Sequence, residues 1–324
     1  MFGGGVLFCA GMLTKKDLPK NPSFELQRDL LLHPESNPTK YVAFEDAATH
    51  RFVPDATSWS RVNAWWLADA AWIAYNHDVS AVRDVFKSRA RMDSCEVFAS
   101  SGTECYLAQC ASFAIVTFRG TQPDAWQDLF SDVLLKAVPW DVGHVHQGFG
   151  KALEPVWIPL EAALNKLTDR PVWFTGHSLG GALATLAAFR RGSRAAGVCT
   201  FGSPRVGDGV FAGHFDSQFV ERSTRYVNDH DVVTHVPSQA LAFPHGSYTH
   251  VNHLRWINKD GQVGTGEPTV KHFIQDVFGS SRVMLDIVNL SRQNIQITWP
   301  DALVDHTPLY YALHTWNDFA ANGS

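Results

Sequence analysis

The chain has 324 residues, 45% of them hydrophobic, and a net charge of −5 at pH 7. That size and apolar content suit one large domain, and the acidic balance excludes the usual signature of a nucleic-acid partner. No apolar run approaches the roughly 18 residues a membrane span needs.

Residues 1–13 are apolar but carry no Lys or Arg before Lys15, so they lack the positive start of a secretory signal, and a cytoplasmic location is expected. Residues 14–58 are rich in Pro, Asn, Ser and charge, and the reading is an irregular arm over 1–59 packed on a domain over 60–324. Ser60 is an N-cap candidate for a helix running through Asn63 to Tyr75. Trp65, Leu67 and Trp72 recur on it at core-packing intervals. Short β-like runs follow at Glu96–Ala99 and Glu104–Ala108. Phe113–Phe118 is a continuous apolar run suited to a central strand. The five cysteines argue against a complete disulfide framework. Cys95, Cys105 and Cys110 fit no zinc spacing and read as reduced thiols, with one bridge open to them only in an oxidising compartment.

Lys151–Leu167 has helical spacing. Arg170–Trp173 then leads into Gly176-His177-Ser178-Leu179-Gly180-Gly181, and a small-residue helix follows from Ala182. Gly-x-Ser-x-Gly between strand and helix is the nucleophile elbow of α/β-hydrolases. The glycines remove clashing side chains and Ser178 is expected to stand exposed at the tip. Gly197–Phe201 and Thr224–Val227 are further strands. Strands alternating with helices predict an α/β fold with a mostly parallel central sheet flanked by helices. Ligand sites in such sheets lie at the carboxyl strand ends, where Ser178 and the residues after Phe118, Phe201 and Val227 all fall.

A serine hydroxyl needs a base, normally a histidine held by a carboxylate, and in this fold the chain order is Ser, acid, His. Asp229 and Asp231 both lie in the loop leaving the Thr224–Val227 strand. His235, His245, His250, His253, His272, His306 and His314 all follow as possible bases. One oxyanion donor is expected to be the backbone N–H of Leu179.

Four motifs together resemble the class 3 lipases, the fungal triacylglycerol lipase type. They are Thr117-Phe118-Arg119-Gly120-Thr121, Val145-His146-Gln147-Gly148-Phe149, the elbow, and Phe201-Gly202-Ser203-Pro204-Arg205-Val206-Gly207-Asp208. The resemblance spans residues 60–316. It implies a carboxylic ester hydrolase on an α/β-hydrolase fold, with Ser178 as nucleophile, Asp231 as acid and His306, in Asp305-His306-Thr307-Pro308-Leu309-Tyr310, as base. His250, in Tyr248-Thr249-His250, is the rival base and resembles a structural position of the family. The resemblance also implies Thr121 as the second oxyanion donor. His177 reads as unavailable, because neighbours on a tight turn point apart.

Between Thr121 and Val145, the residues Trp126, Leu129, Phe130, Val133 and Leu134 recur at helical spacing. By resemblance this helix is a lid over the site, with Trp126, Leu129 and Phe130 facing substrate; the alternative is a helix fixed on the sheet. Asp132 resembles a structural aspartate. The implied chemistry needs no cofactor and no metal. The partner is a lipid or other ester, taken at a lipid–water interface if the lid opens. Rival functions are a phospholipase A1 or feruloyl esterase, and a catalytically dead lipase-like interaction module.

Overall fold

A computed structural model describes residues 41–121, 136–229, 231–237, 242–243, 246–251, 253–265 and 305–323. Helix α1 (Arg61–Ile73) starts where the Ser60 hydroxyl accepts a hydrogen bond from the Asn63 N–H. That satisfies one of the donors every helix start leaves without an internal partner. Each residue from Val62 to Ile73 is buried. Burying one side chain the size of Leu67 is worth about 1.5–3 kcal/mol, so packing holds this helix more than propensity does. The helix stops two residues short of the Tyr75 end read from the sequence. Tyr75 N–H turns back to the Trp72 carbonyl at 3.1 Å and Asn76 N–H to that of Ile73 at 3.0 Å, and these tighter bonds close the last turn.

After α1 come α2 (Val79–Ser88), β1 (Ser94–Ser100), β2 (Thr103–Gln109), β3 (Ala114–Phe118), β4 (Ala137–Pro139) and β5 (His144–His146). Next are α3 (Gln147–Leu164), β6 (Val172–His177), α4 (Leu179–Arg191), β7 (Ala195–Phe201), β8 (Gly207–Asp208), α5 (Gly209–Phe219) and β9 (Ser223–Asn228). The described elements end with β10 (Ala242–Phe243), β11 (Gly246–Thr249), β12 (Leu254–Ile257), β13 (Val263–Gly264) and α6 (Pro308–Asn322).

Among the described residues the main sheet has eight strands in the order β1-β2-β3-β6-β7-β9-β12-β13. The run β3-β6-β7-β9-β12 is parallel, with antiparallel strands at both edges. This is the mostly parallel α/β-hydrolase sheet, with β3, β6 and β7 largely apolar and, like the more polar β9, buried on both faces. Register fixes the functional edge. Phe118 pairs with Gly176, His177 with Phe201, and Phe201 with Tyr226. Four carboxyl strand ends are therefore level, and four loops leave from one line.

Helix α1 is docked on that sheet by two threonines. Thr117 Oγ1 donates to the Ala70 carbonyl and Thr175 Oγ1 to that of Leu67. The strands thereby satisfy their buried hydroxyls, and the end of α1 is delivered to the carboxyl end of β6. Residues 41–59 fasten to the same helix. Tyr41 Oη donates to Asp69 Oδ1 at 2.7 Å, Phe44 N–H to Asp69 Oδ2 at 2.8 Å, and Trp66 Nε1 to the His50 carbonyl.

Neither α2 nor α5 is among the elements expected from the sequence, nor, among the described residues, is the small five-stranded sheet β10-β11-β8-β5-β4. Both helices carried signals: Asp78 caps α2 and Asp208 caps α5 through their side chains. The small sheet pairs strands of two to four residues, too short to leave a period in the sequence. Cys95, Cys105, Cys110 and Cys199 are free thiols. No described helix is long and apolar enough to cross a membrane.

Candidate active site

Strand β6 ends at His177 and α4 begins at Leu179, so the chain reverses at Ser178 alone. Ser178 takes φ 58° and ψ −130°, a conformation that strains any residue with a Cβ. Gly176 and Gly180 make the reversal possible. A Cβ on Gly176 would clash with the Gly180 backbone, and one on Gly180 with the Phe118 carbonyl. The turn is pinned by Ser178 N–H donating to the Phe201 carbonyl at 2.9 Å. Ser178 is fully buried, which corrects the expectation of an exposed tip. The elbow lies beneath the neighbouring loops instead of projecting past them.

The loop after β7 passes beside it. Gly202 has φ 57°, and a Cβ there would come within 2.7 Å of Asp231 Oδ2 and 3.0 Å of the His306 ring. Gly202 thus lets Asp231 and His306 lie against the backbone next to the elbow. His306 Nδ1 is 2.9 and 2.8 Å from the two oxygens of Asp231, and both side chains are fully buried. The Asp231 carboxylate also accepts from Val233 N–H at 2.9 Å and from Tyr311 Oη at 2.5 Å. Tyr311 Oη in turn accepts from Asn228 N–H, and Asn228 Nδ2 donates to the Asp305 carbonyl. Strand β9 therefore holds the His306 segment directly, across nearly eighty residues of sequence.

The rival residues have other occupations. Asp229 turns the chain at φ 40°, its N–H on the Ile257 carbonyl. His250 Nε2 lies 2.6 Å from the Thr234 carbonyl. Burial, reinforced by Arg225 and Arg205, pushes His250 well below the usual histidine range. His314 packs against Gly261. His245 and His272 lie outside the described residues, as do Trp126, Leu129, Phe130 and Asp132.

The oxyanion candidates come from the elbow and the loop after β3. Leu179 is the first residue of α4, where helix N–H groups lack internal acceptors and the dipole favours negative charge. Thr121 follows Gly120, whose hypothetical Cβ would lie 2.6 Å from the His177 carbonyl oxygen. Only glycine lets that loop lie on the elbow. Arg119 anchors the loop through a 3.1 Å ion pair to Glu104 and through its own N–H on the Glu104 carbonyl.

Several residues here had no role assigned from sequence. Arg205 clasps the loop after the acid, its Nη1 donating to the carbonyls of His235 and Pro237, while burial lowers its pKa to about 10. Tyr311, Tyr75 and His177 also belong to the site. Arg205 sat inside a recognised motif; Tyr75 and Tyr311 carried no signal beyond being aromatic.

The arrangement can activate a hydroxyl. It holds an imidazole on a buried carboxylate and a strained serine at the start of a helix, whose first N–H groups are donors without internal acceptors. Among the described residues no group of His, Cys, Asp and Glu could hold a metal ion.

Residues 115–241 match the family model described as lipase (class 3). Lipase ZK262.3 of Caenorhabditis elegans is 30% identical over 207 residues, 57% of this chain and 58% of that protein. Secreted mono- and diacylglycerol lipase 1 of Fusarium solani is 38% identical over 109 residues, 32% of each chain. The chain thus spans less than two thirds of the length of these relatives. Among solved structures, lipase II from Rhizopus niveus aligns with TM-score 0.50 and 23% identity, covering 64% of this chain and 84% of that one. A Rhizomucor miehei lipase propeptide complex aligns with TM-score 0.52 and 19% identity, covering 76% and 89%. At those identities the likeness is one of fold, and it is the α/β-hydrolase fold.

Proposed function

We propose that this chain, similar to the class 3 lipases over residues 115–241, is a lipase of that type: a serine carboxylic ester hydrolase acting on acylglycerol-type lipids. The observation that carries the reading is the buried Asp231–His306 pair lying on Gly202, next to the Phe201 carbonyl that pins the strained Ser178. His306 takes the Ser178 proton, and Ser178 attacks the ester carbonyl. Leu179 N–H and Thr121 stabilise the oxyanion. His306 then protonates the departing alcohol, and water resolves the acyl-enzyme. Asp231 fixes the tautomer in which Nδ1 carries a proton and stabilises the imidazolium.

The family resemblance of the motifs favours triacylglycerols, and the similar Fusarium solani protein, named a secreted mono- and diacylglycerol lipase, makes partial glycerides the nearest alternative. An intact set of triad candidates weighs against an inactive module. Action at a lipid–water interface rests on the amphipathic pattern of residues 123–135, which lie outside the described residues.

The test is a series of chromogenic esters and acylglycerols of increasing chain length, with fluorophosphonate labelling. Wild type should hydrolyse them and label at Ser178. Ser178→Ala should lose about 10⁶ of the rate and all labelling while staying folded. Hydrolysis within tenfold of wild type by folded Ser178→Ala would show that another residue is the nucleophile.

A further inference from the structure

His177, the residue before the nucleophile, points into the protein and is fully buried. Its ring lies 4.4 Å, centroid to centroid, from the ring of His306, and 5.6 Å from that of Tyr311. On its other side Tyr75 Oη is 2.8 Å from His177 Nδ1, with the two rings edge to face at 5.6 Å. The same hydroxyl sits where a Cβ on Gly120 would be. One phenol therefore touches the elbow and the loop that carries Thr121, and it reaches the base through a single ring.

The proton positions follow from burial. Burial pushes the Tyr75 phenol above the usual tyrosine range; Arg119 acts against this and Asp231 with it. The phenol therefore keeps its proton, and a buried O–H needs an acceptor. Its hydrogen-bond partner among the described residues is His177 Nδ1, at 2.8 Å. Nδ1 then accepts, and the His177 proton sits on Nε2. Burial and the neighbouring His306 hold His177 well below the usual histidine range. The charged or titratable groups around the pair are His306, Asp231, Tyr311 and Arg119, the last paired with Glu104.

We propose that Tyr75 and His177 are positioning residues for the base: the Tyr75 hydroxyl locks His177 as a neutral imidazole, and that uncharged ring is the wall on which His306 takes up and releases its proton. This rests on the hydrolase reading above. A second charge-bearing histidine against His306 would oppose the imidazolium that forms in each turnover. A donor fixed on Nδ1 removes the nitrogen that would otherwise accept that charge.

Two measurements test this. Nitrogen-15 imidazole spectra of histidine-labelled wild type should show His177 with Nδ1 unprotonated, and neutral throughout the titration of His306. In Tyr75→Phe, His177 should begin to titrate. Kinetically, Tyr75→Phe should lower kcat roughly three- to tenfold, the worth of one hydrogen bond, with KM little changed. A second ionisation should enter the acid limb of kcat/KM. Tyr75→Phe combined with His177→Phe restores an uncharged ring, so the limb should return to a single ionisation. Wild-type His177 protonated on Nδ1, or charged near neutral pH, would overturn the proposal. So would a Tyr75→Phe limb identical to wild type, or an extra ionisation surviving in the double variant. Absence of hydrolysis and of phosphonate labelling in wild type sinks the hydrolase reading instead, and the spectra, which need no turnover, still decide the state of His177.

Discussion

Asp231 holds its place by accepting from three directions: His306, Val233 N–H and the Tyr311 hydroxyl. The last of these disperses charge that would otherwise concentrate on the imidazole. Tyr311→Phe should therefore make Asp231 a stronger partner for the imidazolium. We predict that the acid limb of kcat/KM moves to higher pH and that kcat falls roughly three- to tenfold, with KM unaltered. The variant also leaves Asn228 N–H without its acceptor, at a stability cost of about 1–3 kcal/mol. Unchanged kcat and an unmoved limb would make Tyr311 a core side chain only. At this scale the sequence was legible for Ser178, whose flanking glycines have an evident steric purpose. It was not legible for Tyr311 or His177, because nothing local tells a buried hydroxyl or ring which partner it will meet.

Residues 119–121, where the chain leaves β3, are fixed by three contacts: Arg119 on Glu104, Gly120 on His177 and Tyr75, and the start of α4 against Phe118. A loop held so firmly can present donors without reorganising when charge develops. Thr121→Val, nearly isosteric, should lower kcat by about 10²–10³ with little effect on KM if its hydroxyl meets the oxyanion. A change confined to KM would remove Thr121 from that role. The long elements α1, β3, β6 and α4 were readable because each carries its own period or apolar run. The two-residue strands β8, β10 and β13 exist only as partners of others.

Across the whole molecule, buried titratable groups make stability depend on pH. Burial raises Asp69 from 3.8 to about 8, with its hydrogen bonds to Phe44 N–H and Tyr41 acting against this. The folded chain then keeps a proton that the unfolded chain has lost, so stability falls as pH rises from about 4 to about 8. Burial lowers His177 and His250 below 6.5. The unfolded chain takes up those protons first, so stability falls as pH drops below 6.5. Burial also raises Asp318, in the same sense as Asp69; just below 6.5 the two histidines oppose these carboxyls, and above 6.5 Asp69 carries the decline among the described groups. Stability should peak near pH 6.5 and decline toward pH 8 by at most about 1.4 kcal/mol per pH unit, with the thermal midpoint following it. Asp69→Asn should flatten that alkaline decline. A wild-type midpoint that climbs between pH 6.5 and 8 would refute the assignment to Asp69.

By itself the sequence determined the alternation of strands and helices, the elbow around Ser178, and the chemistry its motifs imply. Those depend on neighbours along the chain: two glycines where a turn has no room, and an apolar run where a strand has no solvent face. The residues alone left Asp229 and Asp231, and seven histidines, open; the family resemblance pointed to Asp231 and His306, and tertiary structure shows how they meet. Asp231 and His306 are brought together by β9, by Asn228 on the Asp305 carbonyl, and by the space Gly202 leaves free. It also turned His177 inward, because the register of β6 and the end of α1 bring Tyr75 to it. Sequence spacing carries local sterics, whereas a buried hydrogen bond between distant elements exists only once both are packed.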